Sequence, residues 1–178
     1  AIGCANGEDI LSLGRDIGRV IAIEPGRIWW TDNLGEIPAE YRAPTLSGDI
    51  GLPDGSVDLA VALSALHHIA TVGHVVGEMG RVLRPGGWLL LREPAISMGD
   101  FRHPRPGLTR NERGIPPGHM RRFIAAAGLT LVRTEPCSFR LIDVLGQALG
   151  RRTAYDSLCA SLCFSWQSLL QGFEFVAV

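Results

Sequence analysis

The sequence predicts a doubly wound α/β sheet, and three observations carry that expectation. Short β-branched or leucine-rich runs alternate with segments of helical apolar spacing. The runs are apolar throughout rather than alternating, as strands covered on both faces are. Polar and acidic residues follow where the runs end, which is where such sheets bind ligands. At 178 residues and 46% hydrophobic content, the chain can bury one sizeable core, so a single domain over 1–178 is expected.

The elements follow in order. AIGCANG is a tight turn with almost nothing in front of it, expected to be the end of a first strand cut to a stub. In EDILSLGRDIG, residues Ile10, Leu11, Leu13 and Ile17 have helical spacing. RVIAIE is a buried strand ending in an acid, and PGRIWWTDNLGE suits a short helix. APTLSGDI reads as a brief strand ending at Asp49. VDLAVALSAL is a longer strand ending before two histidines. Val72, Val75, Val76, Met79, Val82 and Leu83 mark one face of a helix that PGG stops. WLLLREP is the next strand. A Pro/Arg/Gly-rich loop from about 95 to 117 leads to the helix HMRRFIAAAG, with Met120, Phe123, Ile124 and Ala127 inward and Gly128 as its stop. LTLVRTEPCSF and GFEFVAV are strands, and about 140–171 is an unusually apolar helical stretch.

Composition narrows the function. Charged residues make up 20% and the net charge is −1, so no basic field gathers nucleic acid or an anionic membrane. All 17 cations are arginine, which excludes a Schiff-base lysine. Cys4, Cys137, Cys159 and Cys163 form no C-x-x-C pair and no secreted framework, so a reducing cytoplasm is expected and no metal ligand set is read. Cys159 and Cys163, one turn apart among Leu158, Leu162, Phe164 and Trp166, read as core packing. No apolar run has the length of a membrane span.

The opening turn asks for a particular ligand. A dinucleotide fingerprint would need glycines at positions 3, 5 and 8, where the chain has Gly3, Ala5 and Glu8. Glu8 and Asp9 favour the dipole of the helix they open but repel phosphate. Glu24, ending the second strand, is placed to accept from two ribose hydroxyls. Asp49 can accept from an exocyclic amine of adenine. Ribose, adenine, a positive centre and no phosphate together describe S-adenosylmethionine.

With these residues in view, the chain resembles the class I S-adenosylmethionine-dependent methyltransferases of the small-molecule type. AIGCANG is similar to their first motif, IEP to their acidic second-strand end, GDIGLPDGSVDLAVALSALHHI to their third and fourth strand region, and EMGRVLRPGGWLLLREP to their next helix, turn and strand. The resemblance covers roughly 1–94, the cofactor-binding half; 95–178 is then the acceptor half. It implies a Rossmann-like, mostly parallel seven-stranded sheet whose antiparallel last strand, GFEFVAV, inserts between its two predecessors. It implies that Gly3, Ala5 and Gly7 line the methionine portion, that Glu24 holds the ribose and that Pro25 shapes the loop under the adenine. Asp49 and Ile50 flank the ring, and Ser64, Ala65 and Leu66 form a wall. Two departures from the pattern are Ala1, where an acid is common, and Ala5, where the family has glycine. They support an alternative, a catalytically lapsed scaffold or partner-binding module. An oxidoreductase using NAD suffers from the wrong glycine spacing.

Methyl transfer needs a base only if the acceptor loses a proton as it reacts. His67 and His68 follow the fourth strand, and one of them can be that base for a hydroxyl acceptor. The other reading is a strand end whose ring packs locally. Arg110, Arg113 and His119, in a cluster with His103, Arg105, Asn111 and Glu112, can grip an acidic group or sugar on a small-molecule acceptor. A solvated loop is the alternative. The apolar stretch 140–171 suits a cap or a homodimer contact. Trp29 and Trp30 pack beside the adenine side or bury the short helix.

Overall fold

The computed structural model of the chain describes residues 1–11, 13, 16–95, 102–136 and 173–177. The expected cap and dimer segment at 140–171 and the cysteines Cys137, Cys159 and Cys163 lie outside the described residues.

The sheet is organised around Ile2. Strand β1 (Val20–Ile23) and strand β4 (Val57–Leu63) flank it, and Ile2 forms parallel bridges to Ile23 on one side and Ala62 on the other. Beyond β1 lies β3 (Ile37–Arg42), parallel to it and joined in a hairpin to the two-residue β2 (Asn33–Leu34). Beyond β4 comes parallel β5 (Leu83–Glu93), then β7 (Phe173–Ala177), antiparallel to both β5 and β6 (Leu131–Pro136). The last strand therefore inserts between its two predecessors, as expected, in the order β4-β5-β7-β6. Among the described residues, and counting Ile2, the doubly wound sheet has seven positions with β2 as an added edge.

The main core lies on the β4–β5 side. Helix α2 (Val72–Val82) buries Val72, Val75, Val76, Met79 and Val82, the face its spacing predicts. Helix α3 (Pro117–Ala126) adds Met120 and Ile124, and Leu66, Leu89 and Leu91 are fully covered. Each such side chain contributes about 1.5–3 kcal/mol by leaving water. The β1 side is smaller, built on Ile10, Val20, Ala22, Leu34 and Val61. Its helix α1 is Glu8–Leu11 among the described residues. Among the described residues no helix is long and apolar enough to cross a membrane.

Two expectations are corrected. APTLSGDI is not a strand; the third parallel strand is Ile37–Arg42. The reason is local: Thr45 Oγ1 donates to the Asp49 carbonyl at 3.1 Å and accepts from Gly48 N at 3.1 Å, and such side-chain bonds compete with a ladder. Asp49 accordingly sits in a loop. Leu83, expected as the end of a helix face, instead opens β5 by pairing with Val57. Pro85–Gly87 is passed over by a register shift before Trp88 pairs with Leu59.

A groove of about 610 Å³ runs between β1 and β4 at their amino ends, lined by Ile10, Val20, Ile21, Leu59 and Val61. It lies opposite the carboxyl ends where ligands of such sheets bind.

Candidate functional site

The carboxyl edge of the sheet carries two turns side by side. The first, Gly3–Gly7, leaves Ile2 in left-handed conformations, with φ +61° at Gly3, +44° at Ala5 and +76° at Gly7. Gly3 is required twice over, because a Cβ there would lie 2.7 Å from the Ala65 Cβ and its φ disfavours side chains. This close approach puts the first turn directly against the second.

Glu24 organises the first turn from the end of β1. Its side chain is buried, at 6% exposure. Oε2 accepts from Ala5 N at 2.9 Å and Oε1 from Gly26 N at 2.7 Å. Each carboxylate oxygen has a second lone-pair direction left to offer. Trp30 Nε1 donates to the Glu24 carbonyl at 3.1 Å, and the Arg27 guanidinium lies 5.2 Å over the Trp30 ring. Pro25 continues into this loop. Tyr41 Oη donates to the Ala5 carbonyl at 2.9 Å. Burial above all holds the Tyr41 phenol up to about 12 and raises the Cys4 thiol, so neither is ionised beside the turn at neutral pH.

The turn's own donors test which ligand fits. Gly3 N donates to the Ile23 carbonyl, Gly7 N to the Cys4 carbonyl and Ala5 N to Glu24. These three amides are spent inside the protein and form no phosphate nest. Negative groups surround them, including Glu8 and Asp9, the latter paired to Arg92 at 3.2 Å. An acceptor carboxylate with spare lone pairs and an electronegative rim fits a hydroxylated, cationic, phosphate-free ligand. S-adenosylmethionine has that chemistry.

The second turn follows β4. Ser64 adopts φ +60° and donates its N–H to the Arg92 carbonyl at 2.6 Å. Ala65 is buried, and the Leu66 side chain lies wholly in the main core, so that side chain is not presented to a ligand. Residues Leu66–His68 make a 3₁₀ turn. Beneath it lies Glu93, the last residue of β5, at 1% exposure. Its Oε1 accepts from Ala65 N at 2.9 Å and Leu66 N at 2.7 Å, and its Oε2 from His67 N at 3.2 Å. His67 Nδ1 lies 2.8 Å from the same Oε2. The His67 and His68 rings are 4.1 Å apart.

His68 is half exposed and its Nδ1 is 3.0 Å from Thr109 Oγ1 and 3.6 Å from Glu112 Oε2. Burial, then its neighbour His67, pushes its pKa below the ordinary imidazole value. The Glu112 carboxyl is held low, first by the Thr109 backbone N–H. His67, His68 and Glu112 each bring a ligating atom within 4.8 Å of one another, though His67 Nδ1, His68 Nδ1 and the Glu112 carboxylate already have the protein partners given above.

The loop residues expected to touch an acceptor divide. Arg113 directs its guanidinium to the carbonyls of Asn111, Ile69 and Ala70 at 2.9–3.0 Å, and its N–H to the His67 carbonyl at 3.1 Å. It is thereby a strut holding the loop to the histidine turn. Arg105 similarly binds the carbonyls of Thr109, Arg110 and Glu112. Arg110 and His119 are exposed, and the structure does not draw them to the histidines by any bond. Asp49 is 58% exposed on its side chain and tied to Ser47 Oγ at 2.6 Å and His74 Nε2 at 2.7 Å; Ser47, then His74, lowers its pKa. Ile50 is buried, and its N–H donates to Glu78 at 2.8 Å.

Glu93, Tyr41 and Thr109 were not among the expected site residues. Glu93 had a signal: strand, Glu, Pro occurs twice, as IAIEP and as LLLREP.

Comparison with known proteins bears on the family and the fold. A family model described as Methyltransferase domain matches residues 1–91. An uncharacterised 37.1 kDa protein of a Streptomyces fradiae transposon is 30% identical over 175 residues, covering 84% of this chain and 48% of that one. The 27-O-demethylrifamycin SV methyltransferase of Amycolatopsis mediterranei is 33% identical over 110 residues, 56% of this chain and 37% of that one. The chain thus spans about half the length, or less, of these relatives. Among solved structures, an S-adenosylmethionine dependent methyltransferase from Mesorhizobium loti superposes with TM-score 0.63 at 17% identity, covering 99% of this chain and 88% of that one.

Proposed function

Because the chain belongs to the Methyltransferase domain family, we propose that it moves the methyl group of S-adenosylmethionine onto a hydroxyl of a small molecule. The observation that carries this reading is the contact between the two turns. Gly3 stands against Ala65, so the Glu24 turn and the His67 turn share one edge of the sheet. One turn has the chemistry to hold ribose and a sulfonium; the other holds a base.

When bound, the cofactor supplies a methyl group already activated by positive sulfur. The protein then has three tasks: hold, align and exclude water. Glu24 accepts from the ribose hydroxyls through the lone pairs that Ala5 and Gly26 leave open. Gly3, Ala5 and Gly7 let the backbone come close to the methionine portion, and Pro25 shapes the floor under the adenine. Asp49 and Ile50 bound the adenine side, Asp49 by an exposed carboxylate and Ile50 by contact alone, since its N–H is given to Glu78. Ser64 and Ala65 form the opposite wall. His67 takes the proton of the hydroxyl, with His68 beside it. Arg110 and His119 are the groups of the loop left to meet a polar acceptor.

Transfer to oxygen is supported by His67 and by the O-methylating relative named above. Ala5 does not argue against catalysis, because the alanine adopts the left-handed conformation the turn needs.

Calorimetry with S-adenosylmethionine and its demethylated product tests the cofactor. Transfer of a radiolabelled methyl group to hydroxylated probes, beginning with 27-O-demethylrifamycin SV, against matched amines tests the atom. We expect binding that Glu24→Ala weakens severely, and label on hydroxyl probes. No binding of either cofactor form overturns the reading; label on amines alone overturns oxygen as the target.

A further inference from the structure

We propose that His74 is a positioning residue that holds the Asp49 carboxylate in one orientation, so that the site selects a purine carrying a 6-amino donor. The proposal rests on the reading of S-adenosylmethionine as cofactor and of Asp49 as the acceptor for its adenine amine. His74 lies between the two stretches that carry the family resemblance there, one ending at Ile69 and the next beginning at Glu78.

Helix α2 first fixes the backbone of the loop that holds Asp49. Glu78 accepts from Ile50 N at 2.8 Å, and Arg81 donates to the Ile50 and Leu52 carbonyls at 2.8 and 2.9 Å. At the other end Thr71, the residue capping α2, donates from Oγ1 to the Ser47 carbonyl at 3.4 Å. Gly48, at φ +89°, lets the loop press this close. A Cβ there would lie 2.8 Å from Val75 Cγ2 and 3.1 Å from Thr71 Oγ1. Residue 49 is thereby set beside residue 74.

What the backbone leaves undecided is the carboxylate itself. The Asp49 side chain is more than half exposed, and without partners it would turn among its rotamers. His74 Nε2 stands 2.7 Å from Oδ1, and Ser47 Oγ donates to Oδ2 at 2.6 Å, so each oxygen is held once. Ser47 first, then His74, keeps the carboxyl below its ordinary range. It is ionised at neutral pH, and His74 Nε2 is the donor of the pair. An ionised carboxylate so held can only accept, with a lone pair left on each oxygen. A 6-amino group can donate to it; a purine without that group leaves the carboxylate with nothing to accept.

The pair has little else to do. Both side chains are near half exposed, and ion pairs at the surface add little to stability. The charged neighbours are committed elsewhere, Arg81 to Glu78 and Asp54, and Glu78 also to the Ile50 N–H. The weight of His74 therefore falls on which base is accepted.

The probes are S-adenosylhomocysteine and its 6-deamino analogue, in which purine replaces adenine, titrated by calorimetry into the intact chain. We expect the wild type to prefer the amino form about 30-fold, as one hydrogen bond to a charged acceptor gives. His74→Ala should reduce that preference to about 5-fold or less, entirely through weaker binding of the amino form, with the melting temperature within about 2 °C of wild type. His74→Gln, whose amide nitrogen can stand where Nε2 does, should restore most of it. Asp49→Ala should abolish the preference, and adding His74→Ala to it should change nothing further.

An undiminished preference in His74→Ala overturns the proposal, and so does an equal weakening of both probes, which would mark a merely structural role. A His74→Gln variant that behaves as His74→Ala overturns the part given to the Nε2 donor. Equal affinities in the wild type would show that Asp49 does not read the base, with the cofactor itself still standing. Failure of the wild type to bind S-adenosylhomocysteine at all would instead sink the functional reading.

Discussion

Two turns at the carboxyl edge of this sheet solve the same structural problem with different outcomes. Both follow a central strand position, both contain one non-glycine residue at positive φ, Ala5 at +44° and Ser64 at +60°, and both are organised by a buried glutamate from the end of the neighbouring strand. Glu24 receives two hydrogen bonds from protein groups; Glu93 receives three from backbone and faces a fourth partner in His67. The difference is capacity. A carboxylate with lone pairs to spare can hold a ligand, whereas a saturated one can only hold the protein and whatever ring is fixed against it.

The comparison breaks most visibly at Glu93. Glu93→Ala strips the partner from three buried N–H groups, each costing about 1–3 kcal/mol when left unsatisfied. We expect a loss of about 4 kcal/mol or more in urea unfolding, a large share of a domain's total stability. A loss below about 1 kcal/mol would show that the turn does not depend on this carboxylate.

Glu24→Ala should invert the pattern. It removes two protein hydrogen bonds and lowers stability by about 2 kcal/mol, roughly 1 for each. The larger effect should fall on cofactor affinity, about 100-fold weaker by titration calorimetry, because the lost bonds to ribose are charge-assisted. Equal stability losses for the two glutamates, with cofactor affinity intact, would erase the distinction between them.

How far the sequence reveals this pair depends on what each residue does locally. The strand RVIAIE, the α2 face and the α3 face are legible because burial imposes their spacing, and Glu24 is legible because an acid ending a buried strand has few structural excuses. Glu93 ends a strand in the same Glu-Pro manner, yet its partners come from residues 65–67 and no spacing within LLLREP announces them. The third strand is displaced from expectation for a related reason. IPAEYR is an edge-side strand of mixed polarity, with Pro38 where the hairpin pairs to Asn33, so it lacks the apolar run that betrays a central strand. Gly35, at φ +60°, marks the hairpin. Arg113 has the composition of an acceptor-binding residue; only the fold shows its guanidinium turned to backbone carbonyls.

The contact between the turns can be tested at Gly3. Gly3→Ala places a methyl group 2.7 Å from the Ala65 Cβ and forces an L residue into the left-handed region, at about 1–2 kcal/mol for the conformation alone. Together these predict a loss of about 2 kcal/mol or slightly more, with a lowered melting temperature and weaker cofactor binding, since the two turns must part. If stability drops but affinity holds, the contact braces the fold without shaping the site.

The smallest effect concerns the residues the turns share in kind. Ala5 at φ +44° carries most of the left-handed penalty for an L residue, about 1–2 kcal/mol. Glycine there would relieve it but lose about 0.4–1 kcal/mol through the freer unfolded chain. Ala5→Gly should therefore stabilise by about 0.5 kcal/mol, a small rise in melting temperature, and leave the Glu24 bond to the residue 5 N–H in place. Ser64→Gly carries the same balance of conformation and unfolded-chain entropy, and its N–H bond to the Arg92 carbonyl survives the change. Parallel small gains at both positions would mean that each turn has its shape imposed by the carboxylate beneath it, with the side chain at positive φ merely tolerated. A gain at Ala5 with a loss at Ser64 would show that the serine hydroxyl has work of its own beside the histidines, and the likeness between the turns would then end at their backbones.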